Sequence, residues 1–152
     1  MTTKRHRARR IALQLLYRID LSGESHLDQL TEQVNYLTHE EIMVESIASE
    51  LSEEEVAQQV QEIEADVERR EMSWVKPRSK DPDLDELCNF AVDLVQGTLS
   101  YRDEVDQRIR TTSEHWRLER MSIVDRNILR LGGYELFYRK DIPPKVSIDE
   151  AV

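Results

Sequence analysis

The chain has 152 residues, a net charge of −10, a charged fraction of 34%, four glycines, four prolines and one cysteine. So little glycine and proline argues against the many turns of an all-β fold, and the length suits one domain or two small subdomains around a real core. A single cysteine excludes an internal disulfide framework and fits a reducing compartment; no apolar run is long enough to cross a bilayer, and the N-terminus lacks the apolar core of a secretion signal. A cytoplasmic, all-α protein is the expectation.

In chain order, charge is the first signal. Lys4, Arg5, Arg7, Arg9, Arg10 and Arg18 give residues 1–19 a charge of +6, residues 20–87 carry −15 and residues 88–152 carry −1. Clustered arginine at one end of an acidic chain is the footprint of a phosphate-bearing partner, or alternatively a solubilising terminus. The same stretch holds Ile11, Ala12, Leu15, Leu16 and Ile19 at helical spacing, which predicts a helix over 8–22 stopped by Gly23. On it Arg7, Arg10, Gln14 and Tyr17 share a face beside the apolar stripe, an arrangement suited to reading RNA. Arginine-rich arms commonly order on binding, so residues 1–7 are expected to be mobile.

Leu27, Leu30, Val34 and Leu37 predict a second helix over 26–37. Residues 39–72 are strongly acidic yet keep apolar residues at helical spacing, and Ser52 with Glu55 reads as a capping box. The prolines of 74–82 place a boundary near residue 80, dividing the chain into 1–80, with the arm and an acidic insertion, and 81–152. One long helix is predicted over 84–109, with Gly97 compensated by close packing. Cys88, among Leu87, Phe90 and Ala91, reads as a buried structural thiol.

Ser122 with Asp125 predicts the start of a helix carrying Val124, Ile128, Leu131 and Tyr134, buried on most of its circumference. Its Gly132 and Gly133 mark a close approach of another helix. Ser147 with Glu150 reads as a further capping box, and the helix it starts stops within two turns. The second subdomain is therefore expected to be incomplete and to leave apolar surface uncovered. His6, His26, His39 and His115 are scattered without metal-ligand spacing, and no phosphate loop or nucleophile motif occurs. No enzyme activity, metal or cofactor is expected.

Two stretches, KRHRARRIALQLLY at residues 4–17 and MSIVDRNILRLGGYELFYRKDIPPKVSIDEAV at residues 121–152, resemble the NusB family of bacterial transcription antitermination factors. The resemblance rests on Ala12, Gln14, Leu16 and Tyr17 in the first. In the second it rests on Val124, Asp125, Arg126, Leu129, Arg130, Tyr134, Glu135 and Leu136, and then on Asp141, Pro143, Val146, Ile148, Glu150 and Ala151. It implies an all-α fold of two helical subdomains that binds the boxA element of ribosomal RNA leaders with the ribosomal protein NusE, within the RNA polymerase antitermination complex. RNA contacts carry over to Arg5, Arg7, Arg9 and Gln14, and partner contacts to Tyr17 and Asp125; the charge of the basic arm itself adds Lys4 and Arg10 to the expected RNA contacts. Arg10 departs from the family, where glutamate is common, and His6 replaces an arginine. Two other readings stay open: an RNA-binding domain like that fronting ribosomal RNA cytosine methyltransferases, and a helical protein adaptor.

Overall fold

The computed structural model of the protein describes residues 4–23, 29–50, 82–112 and 117–151, with residues 43–50 as backbone only. The described residues form α1 (Lys4–Ser22), α2 (Leu30–Glu50), α3 (Pro82–Ser100), α4 (Arg102–Thr112), a 3-10 turn at Leu118–Arg120, α5 (Ile123–Tyr138) and α6 (Pro144–Ala151). No strand occurs among them, so the predicted all-α class holds. The acidic stretch beyond residue 50, its capping box at Ser52 and the predicted boundary near residue 80 lie outside the described residues.

One apolar core joins four helices. Ala8, Ile11, Ala12, Leu15 and Leu16 of α1 meet Leu30, Val34 and Leu37 of α2, Leu87, Cys88, Ala91, Leu94 and Val95 of α3, and Leu131 and Tyr134 of α5. Cys88 is buried as expected, its thiol 3.6 Å from the Thr38 hydroxyl, and burial pushes its pKa up. The chain leaves α1 at Gly23, where φ is +68° and the amide donates to the Ile19 carbonyl at 3.0 Å. That left-handed stop was legible in the sequence.

Four boundaries differ from expectation. Helix α2, predicted over 26–37, begins at Leu30 and runs on to Glu50. Helix α1 starts at Lys4, so the basic arm from Lys4 onward is already helical. The long helix predicted over 84–109 is two helices meeting at Tyr101. The amides of Tyr101 and Val105 still reach back to Gly97 and Tyr101 at 3.0 Å; α3 packs on α1, α2 and α5, whereas α4 keeps only α5 of these neighbours and adds the 3-10 turn. Ser147 is not a cap: α6 begins at Pro144, a favoured residue for a first helical position, and Ser147 lies buried inside it.

Helix α5 is capped as predicted, with the Asp125 amide donating to Ser122 Oγ at 3.1 Å. Its buried arc runs through Asn127, Arg130, Leu131, Tyr134 and Glu135, while Val124, Leu129, Leu136 and Phe137 stay exposed. The helix is therefore half-covered rather than surrounded, and polar side chains make up part of its buried arc. The predicted close approach is at Gly133, where an added Cβ would lie 2.8 Å from Val105 Cγ1.

Gly97 is tighter still: a Cβ there would lie 1.9 Å from Cζ of Tyr134. That ring cannot easily withdraw, because Tyr101, Tyr134 and Tyr138 form a stacked trio with centroids 4.0 to 6.0 Å apart. Gly97→Ala is therefore expected to cost about 1–3 kcal/mol by overpacking, despite alanine's better helix propensity. A urea midpoint at or above that of the wild type, with unchanged slope, would overturn this reading.

Candidate nucleic-acid interface

Helical periodicity sorts the cations of α1 onto different sides. Lys4, Arg5 and Arg10 are exposed, Arg7 is half-buried, and Gln14 and Tyr17 continue the exposed side toward the C-terminal end. Arg9 points inward. Its Nε and Nη2 donate to the two carboxylate oxygens of Glu135 at 2.7 and 3.1 Å, with side-chain exposures of 8% and 2%. The guanidinium that the sequence reading assigned to RNA is thus engaged on its forked edge inside the protein. The reason is its spacing from Ala12 and Leu16, which puts it on the buried stripe.

Each outer cation also has a neighbour. Lys4 Nζ lies 2.6 Å from Asp83 of α3, and the Arg5 guanidinium sits 5.3 Å from the centroid of the Phe90 ring, within cation–π range. His6 Nδ1 is 2.6 Å from Glu150 of α6, and Arg10 binds Glu41 of α2. These contacts hold the helical arm from Lys4 against α2, α3 and α6. Phe90 also has the Arg9 and Arg139 guanidiniums at 5.6 and 5.2 Å, so the ring joins the arm to the turn after α5.

In that turn Arg139 donates to both oxygens of Asp141 at 2.9 Å. The paired hydrogen bonds raise the arginine's pKa and hold the Asp141 carboxyl down at about 2. At the other end of α1, Asp20 accepts from Asn127 and from Arg130, each at 3.2 Å, and lies within 3.4 Å of Arg102 and 3.6 Å of Arg126. Arg130 in turn donates to both oxygens of Asp106 at 2.8 Å. Burial acts to lower the pKa of Arg130, but the bonds to Asp106 and the charge of Asp20 outweigh it and the net shift is upward. Sequence reasoning missed this network; the signal available was a charged Arg130 within the apolar arc of α5.

Tyr17 is 38% exposed, and Asp125 is exposed with one carboxylate oxygen, Oδ2, accepting from the Ser122 hydroxyl at 2.8 Å. They stand on the two helix ends that the Asp20–Asn127 bond brings together.

The NusB family model matches residues 56–152. This chain belongs to the NusB family. It is 52% identical over 88 residues to a transcription antitermination protein NusB of Myxococcus xanthus, covering 56% of this chain and 61% of that one. With the homologue of the same name from Desulfitobacterium hafniense it shares 49% identity over 63 residues, or 41% and 43% of the two chains. The chain thus spans about half the length of these curated NusB relatives. A solved T. maritima NusB structure superposes with a TM-score of 0.52 at 23% identity, over 99% of this chain and 75% of that one, which shows a shared helical fold. The family match begins after the basic arm, which rests on its own residues and geometry.

Two outcomes follow. Glu135→Ala strips Arg9 of its two-point partner, leaving only Glu150 at 3.7 Å, and should cost about 3 kcal/mol, whereas Arg9→Met with Glu135→Leu should regain most of that loss. A urea midpoint for Glu135→Ala equal to wild type would remove the pair from the stabilising set. The Asp141 carboxyl carbon should titrate by NMR near pH 2, and Arg139→Gln should move it up toward the ordinary 3.8. Because the folded-state pKa is the lower one, the contribution of Asp141 to stability is present above pH 4 and fades as pH falls through 2. A midpoint unchanged by Arg139→Gln would contradict the pairing.

Proposed function

We propose that the protein is an RNA-binding transcription antitermination factor that takes boxA-type ribosomal leader RNA on the outer side of α1, with NusE as protein partner within the RNA polymerase antitermination complex. What supports the reading is the exposed row Lys4, Arg5, Arg10 and Gln14, with Arg7 half-buried beside it, on one helix, in a chain that repels RNA over much of its remaining sequence. Arginine forks suit phosphate in two-point geometry, and Gln14 offers an amide to a base edge. Arg9 serves this surface from behind, fixing through Glu135 the angle at which α1 projects its cations. Tyr17 and Asp125 form the proposed partner contact, with the second carboxylate oxygen of Asp125 available to a cation on NusE. In this scheme residues 1–80 carry the RNA arm and residues 81–152 hold it in place.

RNA binding should weaken steeply with salt. Changing Arg5 and Arg7 together to Ala removes two phosphate contacts and should flatten the plot of log affinity against log salt by about 1.4 units, at about 0.7 per contact on a single strand. Gln14→Ala should relax base preference and leave the slope alone, and Asp125→Asn should weaken NusE binding while keeping the helix cap. Equal affinity of wild type and the Arg5/Arg7 variant for boxA-type RNA across a salt series, with NusE present, would reject the arm as the RNA site.

A further inference from the structure

Among the described contacts, Arg10 is an outer cation held by another helix at two of its nitrogens. Its Nε lies 2.9 Å from Glu41 Oε1, and Nη2 contacts the same oxygen. The Glu41 side chain is only 14% exposed, against 48% for Arg10, and its second oxygen is buried with no hydrogen-bond partner among the described residues. Glu41 has therefore given up much of its hydration, and Arg10 is the cation that compensates it. Glu41 also stands near the start of residues 39–68, which contain eleven acids and no Lys or Arg.

We propose that Glu41 competes intramolecularly with RNA for Arg10 and thereby sets the affinity of the basic arm; the proposal rests on the RNA-binding reading above. A phosphate approaching Arg10 has two courses. It displaces Glu41, leaving a largely buried carboxylate without its cation, or it shares the guanidinium and sits beside a like charge; both raise the cost of binding. The contact uses the forked edge that bidentate phosphate binding would need, so the two acceptors claim the same donors. The opposite role, in which Glu41 orients Arg10 for RNA, predicts the opposite sign.

Glu41→Gln keeps a carbonyl oxygen for Arg10 while removing the charge. Titrated with a boxA-type RNA oligonucleotide, this variant should bind about two- to five-fold tighter than wild type, the range of a partly exposed ion pair. Its salt slope should steepen by about 0.7 as Arg10 becomes a full phosphate contact. Glu40→Gln makes the same charge change one residue away and should tighten binding less, while in an Arg10→Ala background Glu41→Gln should have no effect. Circular dichroism checks that each variant keeps its helices, and Glu41→Ala should move affinity in the same direction. Unchanged or weaker binding by Glu41→Gln where the wild type binds, or an equal gain from Glu40→Gln, overturns this inference and leaves the RNA-binding reading intact. No binding by wild type or any variant at low salt overturns both.

Discussion

Helix α1 is held to α5 by charged pairs at both ends, and the rest of the structure depends on that arrangement. Arg9 meets Glu135 across 126 residues of sequence, and Asp20 meets Asn127 and Arg130 across 107 and 110. As numbering rises along α1 from 9 to 20, its partners on α5 fall from 135 to 127, so the helices run antiparallel. At about 1.5 Å per residue the two fixed points are about 16 Å apart on α1. Between them the contact is apolar, through Ile11, Ala12, Leu15 and Leu16. An apolar stripe alone tolerates sliding by a turn, because leucine replaces leucine. A bidentate pair at one end and an aspartate shared by several donors at the other do not, since a shift would strand buried charges at a cost of several kcal/mol.

This fixed register separates the cations of one segment into different roles. From Lys4 to Arg10 the sequence reads as a uniform basic run, yet the helical turn sends Arg9 to the core side and Lys4, Arg5 and Arg10 outward. The periodicity was legible: Arg9 is three residues before Ala12 and seven before Leu16, both buried. Reading the run as charge alone hid that, because a buried arginine is uncommon unless a carboxylate meets it. Its carboxylate is on a distant helix.

The same distinction explains what else the sequence revealed. Features settled within a few residues were visible in advance: the Gly23 stop, the Ser122 cap and the apolar periods of α1, α3 and α5. Ser147 shows where local logic fails, since a Ser-x-x-Glu pattern is indistinguishable from a cap until Pro144 has started the helix earlier. The division of α3 from α4 was invisible for a related reason. Apolar spacing continues through Tyr101, and what distinguishes the two helices is that α4 has left α1 and α2 behind. The Asp20, Arg130 and Asp106 network lay beyond reach because each bond joins residues at least 24 apart.

Under the proposed function, an arm that is helical before it meets RNA alters the balance of binding. A disordered basic segment keeps its cations hydrated and free, and loses conformational entropy when it docks. Here much of that entropy has already been surrendered, through Arg5 on Phe90, His6 at Glu150 and Lys4 at Asp83. Preorganisation of this kind favours affinity. The contacts that order the arm, however, are largely carboxylates, so under the proposed function a phosphate meets cations already partly neutralised. The half-exposed pair of Lys4 with Asp83 is screened by water and yields easily. Under the proposed competition, Arg10 with the more buried Glu41 yields less readily. Order in the arm is thus obtained through charges that oppose its ligand, and the depth at which each carboxylate is buried decides how strongly.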